Sequence, residues 1–255
     1  MAEPQHHTKA RLNAFTLAEV LKNFPRSIGE RVRERGLKCA FTLAEVLITL
    51  GIIGVVAAMT IPTLIANYQE KSTISKVKKF YSMLSQAVLM STTENGYPPV
   101  WNISEGITED AANDLANYIN PYLKIVKDCG TNIGWLGYSG DFKNLSNGEM
   151  ANYDNNPTYY KLILADGSHV WFRGVDGHLG CGYDDAYSAV FFDINGTNSP
   201  NVIGKDIFLT CITSKGVQAH VDTTNCNYSS SGTSCLKYIL QNNNMKYPAT
   251  NTNTP

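Results

Sequence analysis

The chain has 255 residues and a formal net charge of −1, with 17% charged and 43% hydrophobic residues. This length suits one ordinary domain with an extension, and no basic stripe occurs after residue 40 that would favour duplex nucleic acid as a ligand. The sequence contains no G-x-S-x-G, H-E-x-x-H or phosphate-binding-loop motif, so it gives no reason to expect an enzyme of those classes.

Residues 1–40 form a basic leader with eight Lys/Arg against four Asp/Glu, whereas residues 41–255 carry thirteen against eighteen. A basic block before an apolar run predicts a cytoplasmic N-terminus and export of the residues beyond the apolar run. The string AFTLAEVL occurs at 14–21 and again at 40–47. The first copy soon meets Lys22 and Pro25 and cannot span a membrane. We interpret it as a local duplication without a function of its own.

Residues 41–65 are overwhelmingly apolar, and no charged residue occurs between Val46 and Tyr68. A helix of this length reaches about 37 Å, more than a hydrocarbon core of about 30 Å, so it is predicted to span a membrane. Residues 66–95 are predicted to continue this helix in amphipathic form until Asn95-Gly96. Its apolar stripe, at three- and four-residue spacing, consists of Ile74, Val77, Tyr81, Leu84 and Val88.

Residues 96–255 are predicted to form an exported head. A short helix is expected from Thr108 to about Tyr118, where an acidic pair begins it. Strands separated by turn residues are expected over 159–165, 169–172, 188–194, 206–212 and 217–221. The predicted fold class is therefore α+β, with the long helix packed on a small antiparallel sheet. The residues after Lys246 are expected to fray.

The segment around residue 40 shows an ordered set of features. A basic leader is followed by Ala40, the aromatic Phe41, an acid at Glu45, the apolar run and Pro62. This order resembles the processing segment of type IV prepilins and type II secretion pseudopilins. The resemblance implies that a prepilin peptidase cleaves between Ala40 and Phe41 and methylates the new amine of Phe41. Ala40 departs from the glycine that is usual before the cut, and the leader is long.

The resemblance also implies a role for Glu45. A carboxylate within an apolar helix costs a few kcal/mol or more unless it is paired, so a partner is expected. In the family that partner is the free amine of Phe41 on a neighbouring subunit, a pair that offers register more than stability. The alternative is that lipid headgroups wet Glu45 and that it has no role. Pro62 removes one backbone hydrogen bond and is expected to kink or locally melt the helix.

Six cysteines are present, and Cys39 would leave with the leader. An oxidising compartment favours disulfides among the remaining five. Cys226 and Cys235 are the first expected pair, with further pairing among Cys129, Cys181 and Cys211 left open. A zinc site is the alternative, but no C-x-x-C or paired-histidine spacing supports it.

Residues 191–208 resemble a turn-rich segment of pseudopilin heads. In some of these heads a nearby loop binds calcium, which implies Asp193, Asn195 and Asp206 as candidate oxygen ligands. Their spacing differs from that of an EF-hand loop. A plain connector between two strands, with Asn195-Gly196 in the turn, is the favoured alternative.

The leading expectation is a structural subunit of a type IV pilus or type II secretion pseudopilus. Its partners would be prepilin peptidase, other pilin or pseudopilin subunits, an inner-membrane assembly platform and the lipid bilayer. The N-terminus would be cytoplasmic and the head periplasmic, or at the cell surface after assembly. The alternatives are a membrane-tethered adhesive module and an exported enzyme without a recognised motif. Candidate contact aromatics, for which core packing is the ordinary explanation, are Trp101, Trp135, Tyr138 and Tyr153.

Overall fold

The computed structural model describes residues 42–174, 181–221 and 226–249. The predicted leader, Ala40 and Phe41 therefore lie outside the described residues. Contacts divide the chain into two units, one ending at Ile53 and the other beginning at Gly54.

The first element is one helix of 53 residues, α1 (Leu43–Asn95). Within the described ranges, α1 is the one helix that is long and apolar enough to cross a membrane, and its most apolar window is fully exposed. The chain is helical on both sides of Pro62, so the helix does not melt there, and the other expected effect, a kink at Pro62, stays a prediction. Gly96 comes directly after the helix with φ of +79°, a left-handed conformation that glycine adopts without strain and that ends α1.

The head-side part of α1 buries one face, as the predicted stripe requires. Its buried residues are Ile74, Val77, Phe80, Leu84, Ala87, Val88 and Ser91. Tyr81, predicted for this stripe, is only half-buried and donates its hydroxyl to the Val217 carbonyl at 2.9 Å. Phe80 lies at the centre of the face and stacks on Phe192 with ring centroids 3.8 Å apart.

The head contains the predicted short helix, α2 (Glu109–Ile119), whose Thr108 cap accepts a hydrogen bond from Ala111 N. It is followed by β1 (Ile125–Gly130) and by a separate two-stranded hairpin, β2 (Phe142–Lys143) and β3 (Glu149–Met150). The remaining elements are β4 (Tyr160–Leu164), β5 (His169–Gly174), β6 (Ala186–Asp193), β7 (Ile207–Thr213), β8 (Gly216–Ala219) and α3 (Cys235–Asn242).

Six strands form one antiparallel sheet in the order β1-β4-β5-β6-β7-β8. The α+β layout is therefore confirmed, and each of the five strands expected from the sequence is present. Tight turns join β4 to β5 and β7 to β8, and in the first of these turns Gly167 has a φ of +84°. Strand β1, which was not predicted, pairs with β4 at the edge of the sheet.

Both faces of the central strands are buried, which explains why these strands are apolar along their whole length. On one face, Phe172, Val190 and Phe192 pack with the buried side of α1. On the other face, Trp171 and Phe191 pack with Tyr153 and other side chains from residues 129–159. The head thus has two cores on either side of one sheet.

The expectation that the chain frays after Lys246 is wrong as far as residue 249. Tyr247 is buried, and its hydroxyl donates to the Gly204 carbonyl at 2.7 Å. The Pro248 carbonyl accepts from Tyr228 N at 3.2 Å. The buried ring of Tyr247 and its hydroxyl bond therefore hold this polar tail in place.

Candidate functional site

The start of α1 is built by Thr42 and Glu45. Thr42 N donates to Glu45 Oε2 at 2.9 Å, and Glu45 N donates to Thr42 Oγ1 at 3.2 Å. The Thr42 hydroxyl also donates to Glu45 Oε2 at 3.0 Å. These reciprocal bonds form a capping box, which satisfies backbone donors that the first turn of a helix leaves free. The Thr-x-x-Glu spacing at 42–45 is the sequence signal from which this cap could have been predicted.

The capping box gives Glu45 a partner within its own chain. Glu45 is exposed, and an ionised carboxylate has about four acceptor positions, so the bonds to Thr42 leave capacity for another donor. The carboxylate can therefore hold the first turn of α1 and still accept from a cationic group of a second molecule. Since Phe41 lies outside the described residues, its amine stays a predicted partner.

The helix after Glu45 exposes a continuous apolar surface. Its large side chains are at least 41% exposed as far as Tyr68, and they include Leu50, Ile53, Met59 and Leu64. A patch of this extent marks a surface that lipid or other protein covers. A Cβ atom added at Gly51 or Gly54 would have no neighbour within 4 Å. Within its own unit, therefore, neither position requires glycine for close packing.

Asp193 and Asp206, two of the three candidate calcium ligands, are buried at the two ends of the connector 194–206. Asp193 accepts from Asn195 N at 2.9 Å and from the Tyr138 hydroxyl at 3.0 Å. Asp206 accepts from Asn201 N and Val202 N at 2.8 and 2.7 Å. Both carboxyl groups therefore hold the connector by binding its backbone amides, as the strand-connector alternative requires.

The same connector contains oxygen atoms of the kind that calcium binds. The buried oxygens Asn195 Oδ1 and Asn201 Oδ1 accept no hydrogen bond from the described residues. Burial, together with the nearby charge of Asp206, raises the pKa of Asp193 to about 8. A proton on Asp193 therefore relieves the repulsion between the two carboxyl groups near neutral pH. The donor set fits calcium in type, and calcium at Asp193, Asn195 and Asp206 stays a prediction.

The raised pKa of Asp193 predicts a pH-dependent stability. Below about pH 3 the carboxyl group is protonated in both states, but above it the unfolded chain ionises with a pKa near 3.8 while the folded chain keeps its proton up to about pH 8. Stability should therefore fall as the pH rises through this window, by up to about 1.4 kcal/mol per pH unit. Asp193→Asn should be more stable than the unchanged chain at pH 8.

Urea unfolding of the full chain in mild detergent with EDTA, at several pH values, measures this effect. The stability difference between the two proteins should shrink as the pH falls and should level off only below about pH 3, and equal pH profiles would contradict the assignment. Added calcium should stabilise the unchanged chain above pH 7 but not the Asp193→Asn variant if the connector binds the ion.

The cysteines form two disulfides within the described residues. Cys226 joins Cys235, the pair expected first, and Cys181 joins Cys211. Cys129 is a free thiol and is buried. Burial raises the pKa of this thiol, which opposes reactivity. The bridges tie β7 and α3 to the neighbouring loops, and they have a structural role.

Of the four candidate contact aromatics, Trp135 is exposed while Trp101, Tyr138 and Tyr153 are buried in the two cores. The buried Asp154 holds the loop that contains Trp135. The Asp154 carboxylate accepts from the backbone N–H groups of Leu136, Gly137 and Tyr138 at 3.0 to 3.4 Å. The backbone that follows Trp135 is therefore fixed, and Lys127 Nζ lies 5.5 Å from the centroid of the Trp135 ring.

The residues that the structure describes contain no group of three or more His, Cys, Asp or Glu side chains that could hold a metal ion. His169 is buried beside Tyr138 with their ring centroids 5.4 Å apart, and burial lowers its pKa. Among the described residues, the Ser234 hydroxyl lies 3.3 Å from His220 Nδ1, and Ser234 is fully buried.

Comparison with known proteins gives one family match. The model of a family of unknown function (DUF6613) matches residues 63–133. This stretch includes the buried face of α1, together with α2 and β1, but neither Glu45 nor the connector 194–206. No curated protein and no solved structure matches the chain. The comparisons therefore supply no activity, ligand or partner.

Proposed function

We propose that the chain is a structural subunit of a type IV pilus or type II secretion pseudopilus. It would be made as a precursor, lose residues 1–40 to a prepilin peptidase, and wait in the inner membrane with its head in the periplasm. Assembly would then bundle the N-terminal helices of many subunits, with the heads outside. The proposal assigns the chain no catalytic activity of its own.

The observation that carries the proposal is the two-part character of α1. One helix begins at a capped acid, continues as an exposed apolar surface, and ends with a face buried on an antiparallel sheet. A helix that only anchored a domain would need the apolar part, and would need an acid at its start only as a cap. The acid is costly in lipid and useful where a cation of a neighbour meets it.

The apolar surface of α1 can be covered in two environments. Lipid covers it in a single-pass membrane protein, and the same surfaces of neighbouring subunits cover it in a filament. Contacts of the second kind repeat without closing into a ring, which produces a fibre. The inner-membrane assembly platform and other subunits are therefore the proposed partners.

A second candidate function is a membrane-tethered binding module that does not assemble. The exposed Trp135 favours it, because Asp154 holds the loop of this side chain in one conformation. In this case Glu45 would be dispensable, and Trp135→Ala would abolish binding to the partner surface. The two functions differ in whether the chain occurs in filaments.

Mass spectrometry of the N-terminus of the mature protein tests the proposed function. We expect a chain that begins with N-methylated Phe41, because the order Ala40, Phe41 and Glu45 matches the substrate of a prepilin peptidase. Ala40→Leu should block this cleavage by enlarging the residue before the cut. An intact leader, or a cut after Ala57 or Ala58, would exclude the prepilin assignment.

A further inference from the structure

A polar cavity of ≈ 350 Å³ lies between α1 and the connector 194–206. Its lining from α1 includes Tyr68, Ser72, Thr73 and Lys76, and its lining from the connector includes Lys205 and Asp206. Two ammonium groups and two hydroxyl groups are donors that suit a phosphate oxygen. The proposed assembly through Glu45 and the apolar surface of α1 does not involve this cavity.

The position of the cavity along α1 indicates the source of its ligand. If the membrane-spanning part ends at Ile65, Tyr68 lies about 5 Å beyond it along the helix axis and Lys76 about 17 Å beyond it, at 1.5 Å per residue. The headgroup layer on each side of a bilayer is about 5–8 Å thick. Tyr68, at the membrane end of the cavity, therefore starts within the headgroup layer, whereas Lys76 starts about 9–12 Å beyond that layer, and its side chain leans toward the N-terminus and thus back toward the membrane.

The charges at the cavity favour an anion. Lys76 and Lys205 are exposed, and the hydrogen bond from Lys76 Nζ to the Ile194 carbonyl is a long one of 3.5 Å. The carboxylate of Asp206 is the opposing group, but both of its oxygens accept backbone N–H groups of the connector. Tyr68 is 73% exposed at the rim, where amphipathic aromatic residues commonly meet a membrane interface.

We propose that this cavity binds the phosphodiester of an anionic phospholipid headgroup in the periplasmic leaflet. Lys76 and Lys205 bind the phosphate, the hydroxyl groups of Ser72 and Thr73 donate to its oxygens, and Tyr68 lies in the headgroup layer. The inference rests on the proposed membrane anchoring of α1 but not on filament assembly. The bound lipid would hold the head at a fixed height before the subunit leaves the bilayer.

The test uses the full chain in nanodiscs of phosphatidylcholine with increasing fractions of phosphatidylglycerol, in EDTA to exclude bridging by calcium. Native mass spectrometry counts the phosphatidylglycerol molecules that stay bound to each chain. The unchanged protein should retain one, and the double variant Lys76→Gln/Lys205→Gln should bind about 25-fold more weakly, from about fivefold for each lysine. The matched control is Lys124→Gln/Lys215→Gln, which removes the same charge elsewhere on the head and should bind as the unchanged protein does.

Several outcomes would overturn the inference. Equal retention by the two double variants would show that general surface charge attracts the lipid. Displacement of the lipid by inorganic phosphate at millimolar concentration would show a site for a soluble anion. Failure of the unchanged chain to insert into nanodiscs would instead contradict the membrane anchoring on which the proposed function depends, and thereby also this inference.

Discussion

Replacing Glu45 with glutamine should abolish incorporation of the chain into filaments while leaving membrane insertion intact. Glutamine can replace glutamate in a capping box, so Glu45→Gln keeps the hydrogen bonds to Thr42 and removes only the charge. The amine of a neighbouring Phe41 would then be buried without a counter-charge. Breaking a buried pair in this way costs about 3–5 kcal/mol, more than a hundredfold in each contact between subunits.

The matched variant for this experiment is Thr42→Ala, which removes the cap and keeps the carboxylate. Loss of an N-cap costs about 1 kcal/mol and frays one turn of helix, so filament incorporation should be near normal. Immunoblots of sheared filaments against the membrane fraction measure both variants, with N-terminal mass spectrometry to confirm cleavage. Normal assembly of Glu45→Gln would contradict the charge-pair mechanism. An assembly defect only in Thr42→Ala would show that Glu45 acts through the cap.

Truncating Phe192 to alanine should destabilise the head by about 3–5 kcal/mol, the range for removing a buried aromatic ring. Phe192 is fully buried, stacks on Phe80 of α1 and contacts Phe208 of β7 with ring centroids 5.7 Å apart. The substitution leaves a cavity at the junction of helix and sheet, where neither element can collapse into it. Since many domains have a free energy of unfolding of only about 5–15 kcal/mol, a loss of this size is a large part of it.

Urea unfolding of the full chain in mild detergent, followed by tryptophan fluorescence to which the buried Trp171 contributes, measures this loss. Leu89→Ala is the control, because Leu89 is 66% exposed on the opposite side of α1 and should change stability by less than about 0.5 kcal/mol. The double variant Phe80→Ala/Phe192→Ala should be less destabilised than the sum of the single variants, because the two rings contact each other. Additive effects would show that α1 and the sheet do not depend on this stack.

The elements that were predicted correctly are those with strong local signals. The strands β4 and β5 flank Asp166-Gly167, and the apolar period of α1 runs from Ile74 to Val88, so neighbouring residues alone specify them. Strand β1 has a mixed pattern and exposes Val126, Lys127 and Asp128. It forms a strand because it pairs with β4, which lies about 35 residues later in the chain. No local sequence pattern indicates such a long-range contact.

Among the candidate sites, too, some have a local sequence signal and others depend on long-range contacts. The Thr42–Glu45 cap has a short-range signal in the sequence, namely the Thr-x-x-Glu spacing. The surroundings of Asp193 instead depend on Tyr138, which lies 55 positions earlier in the chain. The raised pKa of Asp193 could not be read from its neighbours, since burial is its main cause. The exposed Trp135 and the buried Trp101 likewise look alike in sequence, and only their packing separates them.

The amino-acid sequence by itself determined the apolar run, the acid at its start, the amphipathic continuation and the antiparallel strands, because each depends on spacing between near neighbours. The tertiary structure decided which face of each strand meets α1, which cysteines join, how Tyr247 orders the tail, and where Lys76 and Lys205 enclose one cavity with Tyr68. These features arise from contacts between residues far apart in the chain, whose free energy depends on burial and distance and not on local order.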